Sequence, residues 1–482
     1  MKRNVLLTQC LGLVFLACPV EAEVITTPRP IPATRPAMKE LLEDMKVRPY
    51  RFPLPELTAE DRENLGDRAD SYESRLKYHY LPYQEERGPA TSSRSGSTAG
   101  SERSTSRSSR GNSDENMTLS YPFKTMLFWV VSRTNNCQYC LGHQEQKLAA
   151  TGMTEDQVAA LDADWSQYSP AEQTAFAYAR KLTYEPHLLN DQDFEALREH
   201  YSDLQILEMT MSIARNNATN RWKEGTGIPQ SSSGIRFFAA ADGTVPSGSA
   251  LPIESYLTPT SQEFQNVISQ VAPLHLDKSG QPTGRGVHHR PDLEAPSVLR
   301  EKLLAAKERS PRLSVMDEEA ARTALGEYAP EGELPLWVRL VATFPNASQR
   351  RMEAILQLDK PAEVEGDLTP LMKAQVRWIV ARQDRAWYVV AQAEKRLKEL
   401  GQAEAEIEAL DHNWEEFSDA DRSLFTFAQK QAMTPIAVTD ADAAHALETN
   451  SPRSVVQLID FVTGCVYLNR VTEAANLPAI GD

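Results

Sequence analysis

An internal repeat constrains the fold of this 482-residue chain more than any other feature of the sequence. When the sequence is compared with itself at an offset of 249 residues, many aromatic, glycine and arginine positions coincide without a gap. The matching pairs include Trp129 with Trp378, Arg133 with Arg382, Tyr139 with Tyr388, Gly152 with Gly401, Trp165 with Trp414, Phe176 with Phe425, and Asn220-Arg221 with Asn469-Arg470. Self-similarity at one fixed spacing is typical of a folded unit that occurs twice. The repeat therefore predicts two copies of one domain, one in each half of the chain.

The first copy has the apolar periodicity of helices. Apolar side chains recur on one face between residues 204 and 218, at the spacing of an amphipathic helix. Thr154 with Gln157, and Ser169 with Glu172, have the spacing of capping boxes, which start helices. We find no alternation of apolar and polar residues between turns that would indicate strands. The fold class predicted for both copies is all-α.

A short dithiol motif stands near the start of the first copy. Cys137 and Cys140 are three residues apart, and His143 follows after three more, so the three side chains share one face of a helix. The reactive form of cysteine is the thiolate, and a nearby imidazole can take the proton of a thiol. From the residues alone, the motif can be a thiol redox centre, a zinc site that needs a further ligand, or a structural or inactive pair. Covalent haem attachment is excluded because Leu141, and not histidine, follows the second cysteine.

The second copy lacks this motif. At the same offset, Cys137 falls on Ala386, Cys140 on Val389 and His143 on Gln392. The tryptophans and the apolar positions remain, so we expect the second copy to keep the fold without the dithiol. Cys465 lies away from the motif and is interpreted as a small buried apolar residue.

The N-terminus has the pattern of a secretory signal peptide. Lys2 and Arg3 precede an apolar run over residues 5–17, and small residues follow at the expected cleavage site after Ala22. Residues 1–22 therefore predict export to the periplasm or the extracellular space. Cys18 leaves lipoprotein anchoring open as an alternative. No transmembrane segment is expected in the mature chain.

Composition divides the remainder of the chain. Residues 23–120 form an N-terminal extension that includes a Ser/Arg-rich, low-complexity segment, which cannot bury enough apolar surface to fold. The first domain spans 121–230, a long and partly disordered linker spans 231–331, and the second domain spans 332–482. The net charge of −16 argues against binding to nucleic acid.

The run from Trp129 to His143 resembles the carboxymuconolactone decarboxylase and alkylhydroperoxidase D-like family. The resemblance covers about residues 121–230, with a weaker echo near the C-terminus. It implies an all-helical bundle that works as a thiol-dependent peroxidase or disulfide oxidoreductase, without a cofactor or a metal. By the same resemblance, Cys140 would be oxidised to a sulfenic acid, Cys137 would resolve it as a disulfide, and His143 would relay protons. The implied partners are a peroxide or disulfide substrate, an unknown thiol reductant and further subunits of a homo-oligomer.

The chain departs from the family pattern at two positions. Gln144 stands where peroxidase members usually carry histidine, and Thr125 stands where they carry glutamate. Two alternatives to a peroxidase stay open. The chain can be a non-enzymatic binding or scaffold protein with an inactive or structural motif, or a decarboxylase-type enzyme, although retention of both cysteines argues against decarboxylase chemistry.

Overall fold

A computed structural model describes residues 25–81, 118–230, 235–237, 249–251, 256–257, 259–279, 282–286, 293–344 and 367–479. The predicted signal peptide and the Ser/Arg-rich segment lie outside these residues. Export, and the expectation that the Ser/Arg-rich segment does not fold, therefore stay predictions.

The described residues are mainly helical, which confirms the predicted all-α class. The helices of the first half are α1 (Arg35–Asp44), α2 (Ala59–Leu65), α3 (Tyr72–Tyr80), α4 (Tyr121–Asn135), α5 (Gln138–Ala150), α6 (Glu155–Ala163), α7 (Pro170–Tyr184), α8 (Asp191–Arg198) and α9 (Asp203–Thr226). Those that follow are α10 (Gln262–Gln265), α11 (Pro296–Lys307), α12 (Glu318–Leu325), α13 (Leu336–Val341), α14 (Pro370–Asp384), α15 (Trp387–Glu399), α16 (Glu404–His412), α17 (Asp419–Ala432), α18 (Asp440–Thr449) and α19 (Pro452–Ala474).

Two short antiparallel hairpins lie between the halves. Strand β1 (Ile235–Phe237) pairs with β2 (Ser249–Leu251), with Ile235 opposite Leu251. Strand β3 (Leu274–Leu276) pairs with β4 (Pro282–Gly286), with an irregular register. Neither hairpin was expected from the sequence, and both fall inside the predicted linker.

The predicted capping boxes start helices α6 and α7. The hydroxyl of Thr154 accepts the backbone N–H of Gln157, whose side chain accepts the N–H of Thr154 in return. Ser169 and Glu172 form the same reciprocal pair, with Pro170 at the first helical position. These bonds satisfy backbone donors that have no partner inside the helix, and so they define where each helix begins.

The two halves have the same order of helices. Helices α4, α5 and α6 have counterparts in α14, α15 and α16 with the same lengths, and each pair begins 249 residues apart. Each α4-type helix ends in a left-handed residue, Asn136 at a φ of 55° and Arg385 at 54°. The long helices α9 and α19 also begin at this offset and pack against each other more extensively than any other pair.

Part of the segment that the sequence predicts to be a linker is packed. Residues 293–344, here called the central arm, contain α11–α13 and bury Leu299, Ala306 and Leu313. Residues 25–81, here called the N-terminal arm, have a similar order, with α1 followed by α2 and α3. The sequence predicted a linker here because the short helices are separated by proline and serine, and because few of their apolar residues follow one regular period.

Both arms hold their own half through the same kind of contact. Arg51 of the N-terminal arm donates to the carbonyls of Glu224 and Gly225 in the last turn of α9. Arg312 of the central arm donates to the carbonyls of Glu473 and Ala474 at the end of α19. Late helix carbonyls lack partners within the helix, and a guanidinium satisfies them well.

Each arm also reaches across to the opposite half. Arg51 forms an ion pair of 2.7 Å with Asp440 of the second half, and Arg312 forms one of 2.8 Å with Asp191 of the first half. Such reciprocal contacts, in which one half repeats what the other does, are typical of an isologous interface between two like units.

Buried arginines repeat this reciprocity in the centre of the molecule. Arg221 on α9 donates to the carbonyl of Ala432 at 3.2 Å, and Arg470 on α19 donates to the carbonyl of Thr183 at 3.0 Å. Both guanidinium groups are fully buried. Since a buried charge must be paired or hydrogen-bonded, these contacts favour one arrangement of the two halves.

The crossing ion pairs give a matched test of this interface. Asp440 and Asp191 are both the first residue of a helix, but the Asp440 side chain is 19% exposed and that of Asp191 is 80% exposed. We expect Asp440→Ala to lower the free energy of unfolding by about 2 kcal/mol, because it leaves the buried Arg51 without its carboxylate. Asp191→Ala should cost less than about 1 kcal/mol, as exposed pairs do. Equal losses in denaturant-induced unfolding would contradict the assigned role of Asp440.

Candidate functional site

The dithiol motif occupies the break between α4 and α5. Asn136 adopts the left-handed conformation that ends α4, a conformation asparagine tolerates better than most residues. Cys137 then caps α5, with its N–H donating to the carbonyl of Ser132 at 2.9 Å, and Cys140 lies in the first turn of the helix. Both sulfurs therefore lie at a helix N-terminus, where the helix dipole favours negative charge.

The two thiols are reduced, adjacent and buried. Cys137 is fully buried and Cys140 is 2% exposed. Burial raises the pKa of the Cys137 thiol well above its usual value, and contact with the Cys140 thiol and the charge of Glu224 raise it further. A backbone hydrogen bond from Cys140 acts in the opposite direction without reversing the shift. Cys137 is therefore protonated at neutral pH.

A carboxylate that the sequence did not single out lies beside Cys137. Burial alone would raise the pKa of the Glu224 carboxyl, but three guanidinium groups and a hydrogen bond from the Cys137 thiol lower it below its usual value. The guanidinium groups are those of Arg48, Arg29 and Arg51, all from the N-terminal arm. Glu224 is therefore an ionised acceptor next to a protonated thiol. The retention of an acid at the repeat position, Glu473, was the available signal for it.

The His143 ring contacts Gln230 and Tyr139. Its Nδ1 lies 3.0 Å from the side-chain oxygen of Gln230, which can only accept, so Nδ1 carries the proton. Its Nε2 faces the Tyr139 hydroxyl at 3.4 Å, and the two rings stack with centroids 4.4 Å apart. Burial, followed by the charges of Lys223 and Lys147, lowers the pKa of His143 to about 3. The ring is neutral at physiological pH, and it supplies no imidazolium to stabilise a thiolate.

A residue of the predicted linker helps to hold this histidine. The Tyr256 hydroxyl accepts a hydrogen bond of 2.8 Å from Gln230, the partner of His143. The three side chains pack over Gly142, where a Cβ atom would come within 2.5 Å of the Gln230 side-chain nitrogen. Glycine is needed at this position so that Gln230 can approach the motif. Tyr256 and Gln230 were both missed from the sequence because they are remote from the motif along the chain.

Both positions that depart from the family pattern, Thr125 and Gln144, are buried. The Thr125 hydroxyl donates to the carbonyl of Tyr121 at 2.8 Å, within its own helix. The neighbouring carboxylate, Glu145, accepts from the Trp129 indole at 2.6 Å and from Arg35 at 2.7 Å, so it ties the arm to α4 and α5.

A cleft opens above the motif, between α5 and the N-terminal arm. Its volume is about 740 Å³, and its wall includes Arg48, Glu73 and three tyrosines. Glu73 forms an ion pair with Lys223. The tyrosines are Tyr50, Tyr72 and Tyr139. Lys223 lies 4.6 Å above the ring of Tyr139, the residue between the two cysteines. The cleft thus reaches Tyr139, which lies between the two cysteines in the sequence, and has both an aromatic and a charged surface.

The residues that the structure describes contain neither a candidate metal site nor a helix that could span a membrane. No three His, Cys, Asp or Glu side chains in those ranges converge in a way that could hold a metal ion. No helix described there combines the length and apolar composition needed to cross a bilayer.

Comparison with known proteins finds a family similarity within the segment that carries this site. Residues 116–181 match the model of the carboxymuconolactone decarboxylase family, and the match includes Cys137, Cys140 and His143. The resemblance predicted from the sequence is confirmed for this segment.

One curated relative is the uncharacterized protein YdfG of Bacillus subtilis (strain 168). The two chains are 30% identical over 95 residues, which are 19% of this chain and 64% of the relative. This chain thus spans a little less than two thirds of the length of that relative. No solved structure matches the chain significantly.

The low pKa of His143 predicts a pH dependence of stability. In the unfolded chain the residue takes up a proton near its ordinary pKa of about 6.5, but in the folded protein it does so only near about 3. Its contribution to stability is therefore fully present above the unfolded pKa and is lost as the pH falls through this window. We expect His143→Gln, which copies Gln392 of the second half, to unfold less steeply with falling pH than the wild type. Parallel pH–stability curves for the two proteins would show that His143 titrates normally.

Proposed function

We propose that this chain is a thiol-dependent peroxidase or disulfide oxidoreductase that uses the pair Cys137 and Cys140. The observation that carries the proposal is the arrangement of two reduced, adjacent thiols at a helix N-terminus, with ionised Glu224 beside one of them. A structural role would need no acceptor for the thiol proton. The family match supports a redox or decarboxylase-like enzyme and does not by itself choose between them.

In the first step, Cys140 is the residue that attacks the substrate. Its thiolate sulfur attacks the distal oxygen of a hydroperoxide and the O–O bond breaks, so that the sulfur keeps the hydroxyl as a sulfenic acid. The alkoxide leaves as the alcohol after it takes up the proton that the thiol gave up. Lys147 interacts electrostatically with Cys140, and the N-terminus of α5 adds its dipole. Both interactions favour negative charge at this sulfur in the attacking form.

In the second step, Cys137 resolves the sulfenic acid. Its sulfur forms the disulfide with Cys140, the hydroxyl leaves as water, and the Cys137 proton must be removed as the bond forms. Glu224 is the group positioned to accept that proton and to pass it to the leaving hydroxyl. We assign the relay to Glu224 in preference to His143, whose ring nitrogens are engaged by Gln230 and Tyr139. An external dithiol then returns the disulfide to the reduced state.

Burial of both sulfurs favours a second candidate, in which the motif is inactive and the protein binds or scaffolds a partner. A sulfur that solvent hardly reaches reacts slowly unless the cleft admits the substrate. Turnover of peroxide by the purified protein, supplied with a dithiol reductant, separates the candidates. Turnover supports the enzyme, whereas a reduced pair that survives excess peroxide supports the scaffold.

Single cysteine variants should separate the roles of the two thiols. We expect Cys140→Ser to form no sulfenic acid, because the attacking sulfur is gone. Cys137→Ser should accumulate sulfenic acid, because its resolving partner is lost. Trapping with dimedone and mass mapping measures both outcomes. Cys465→Ser serves as the control and should behave as the wild type. Trapping at Cys137 in the Cys140→Ser protein would reverse the assignment.

Substitution of the carboxylate tests the proton relay. We expect Glu224→Gln to react with peroxide at the wild-type rate but to keep its sulfenic acid about tenfold longer or more, because general-base assistance is lost. Raising the pH should shorten that lifetime, since hydroxide can then take the Cys137 proton. Glu473→Gln alters the equivalent acid in the half without cysteines and should change neither rate. A sulfenic acid that resolves as fast in Glu224→Gln as in the wild type would remove Glu224 from the mechanism.

A further inference from the structure

Two equivalent arginines are paired differently in the two halves. In the central arm, Arg309 binds Glu473 with both terminal nitrogens, at 2.9 and 3.0 Å, in a closed bidentate pair. In the N-terminal arm, Arg48 reaches Glu224 with one nitrogen only, at 3.3 Å. The half without the cysteines therefore has an arginine in a bidentate pair, here called closed. The half with the cysteines has an arginine that forms a single bond, here called open.

The open arginine is buried but not satisfied. The Arg48 side chain is 3% exposed, and its Nε and Nη2 have no acceptor among the described residues. Buried donors without acceptors cost free energy, so such groups in a native protein call for a partner. Arg48 also lines the cleft above the dithiol motif, where a ligand can supply that partner.

The cleft indicates the chemistry of this ligand. The Nε and Nη2 edge of a guanidinium matches the two oxygens of a carboxylate in a planar, bidentate pair. Glu73 is already paired with Lys223 and Lys77, and Glu224 with arginines that include Arg48, so positive charge remains for an anionic ligand. Tyr50 stacks on Tyr72 at 4.2 Å, which adds a flat apolar wall.

We propose that Arg48 binds the carboxylate of an organic acid whose apolar body lies along the tyrosine wall of this cleft. Tyr139 belongs both to the cleft and to the dithiol motif, so the bound acid lies beside the reactive pair. In calling that acid a substrate, the inference rests on the proposed redox function. The substrate class is then an organic hydroperoxide or disulfide that bears a carboxylate and an apolar body.

Calorimetric titration with two isosteric probes tests the binding site. The full chain is titrated with 4-phenylbutyrate and with 4-phenylbutyramide, which has the same shape without the charge. We expect the acid to bind at least about tenfold tighter than the amide, because only the acid can form a charge-assisted hydrogen-bonded pair with Arg48. Arg48→Lys should lose this preference, since an ammonium cannot offer the planar fork. Arg309→Lys, the same change in the closed pair, should bind as the wild type.

Three results would overturn the inference: equal affinity for acid and amide, undiminished binding of the acid by Arg48→Lys, or an equal loss in Arg309→Lys. The wild-type comparison of acid with amide decides the matter if either variant fails to fold.

Kinetics with substrates of each kind keeps this inference apart from the proposed function. Arg48→Lys should raise the KM for a carboxylate-bearing hydroperoxide more than the KM for hydrogen peroxide, whereas Arg309→Lys should raise neither. A parallel assay with a carboxylate-bearing disulfide shows which oxidised group the cleft accepts. If the acid binds but no peroxide or disulfide is consumed, the redox function fails and the binding site stands. If substrates with and without the carboxylate are equally affected, the binding site fails and the redox function stands.

Discussion

Two buried guanidinium groups determine how the halves of this molecule meet. The side chains of Arg221 and Arg470 each donate to a backbone carbonyl of the opposite half. Both side chains are fully buried, so water cannot replace those hydrogen bonds. Helix α9 also packs directly against α19, more extensively than any other pair of described helices. The last turn of α9 carries Glu224, so the carboxylate beside the dithiol is positioned by an interface that lies outside the site itself.

The features that could be read from the sequence are those that depend on neighbouring residues. Capping boxes act over three residues, and the dithiol over the first turn of a helix, so Ser169 with Glu172 and Cys137 with Cys140 were found from spacing alone. The all-α class followed from apolar periodicity for the same reason. The charge of His143 could not be obtained in this way, because it depends on burial and on lysines brought close by folding.

The features that were missed join segments that are remote along the chain. Arg48 and Glu224 are 176 residues apart in the sequence, and no local pattern in either segment predicts that they pair. The equivalence of the two arms was missed because Arg48 and Arg309 are 261 residues apart, whereas the helices repeat at an offset of 249 residues. An ungapped comparison at 249 residues does not align the arms. Tyr256 lies in a stretch rich in glycine, proline and serine, a composition typical of connections that pack against nothing.

The linkage of both halves in one chain has a consequence for what each position can become. In an assembly of two identical chains, one substitution alters both sites at once, and an open arginine in one site implies an open arginine in the other. Here Arg48 and Arg309 are separate positions, so one can stay open to a ligand while the other closes on Glu473. A substitution in the half without the dithiol therefore need not be repeated in the half that carries it.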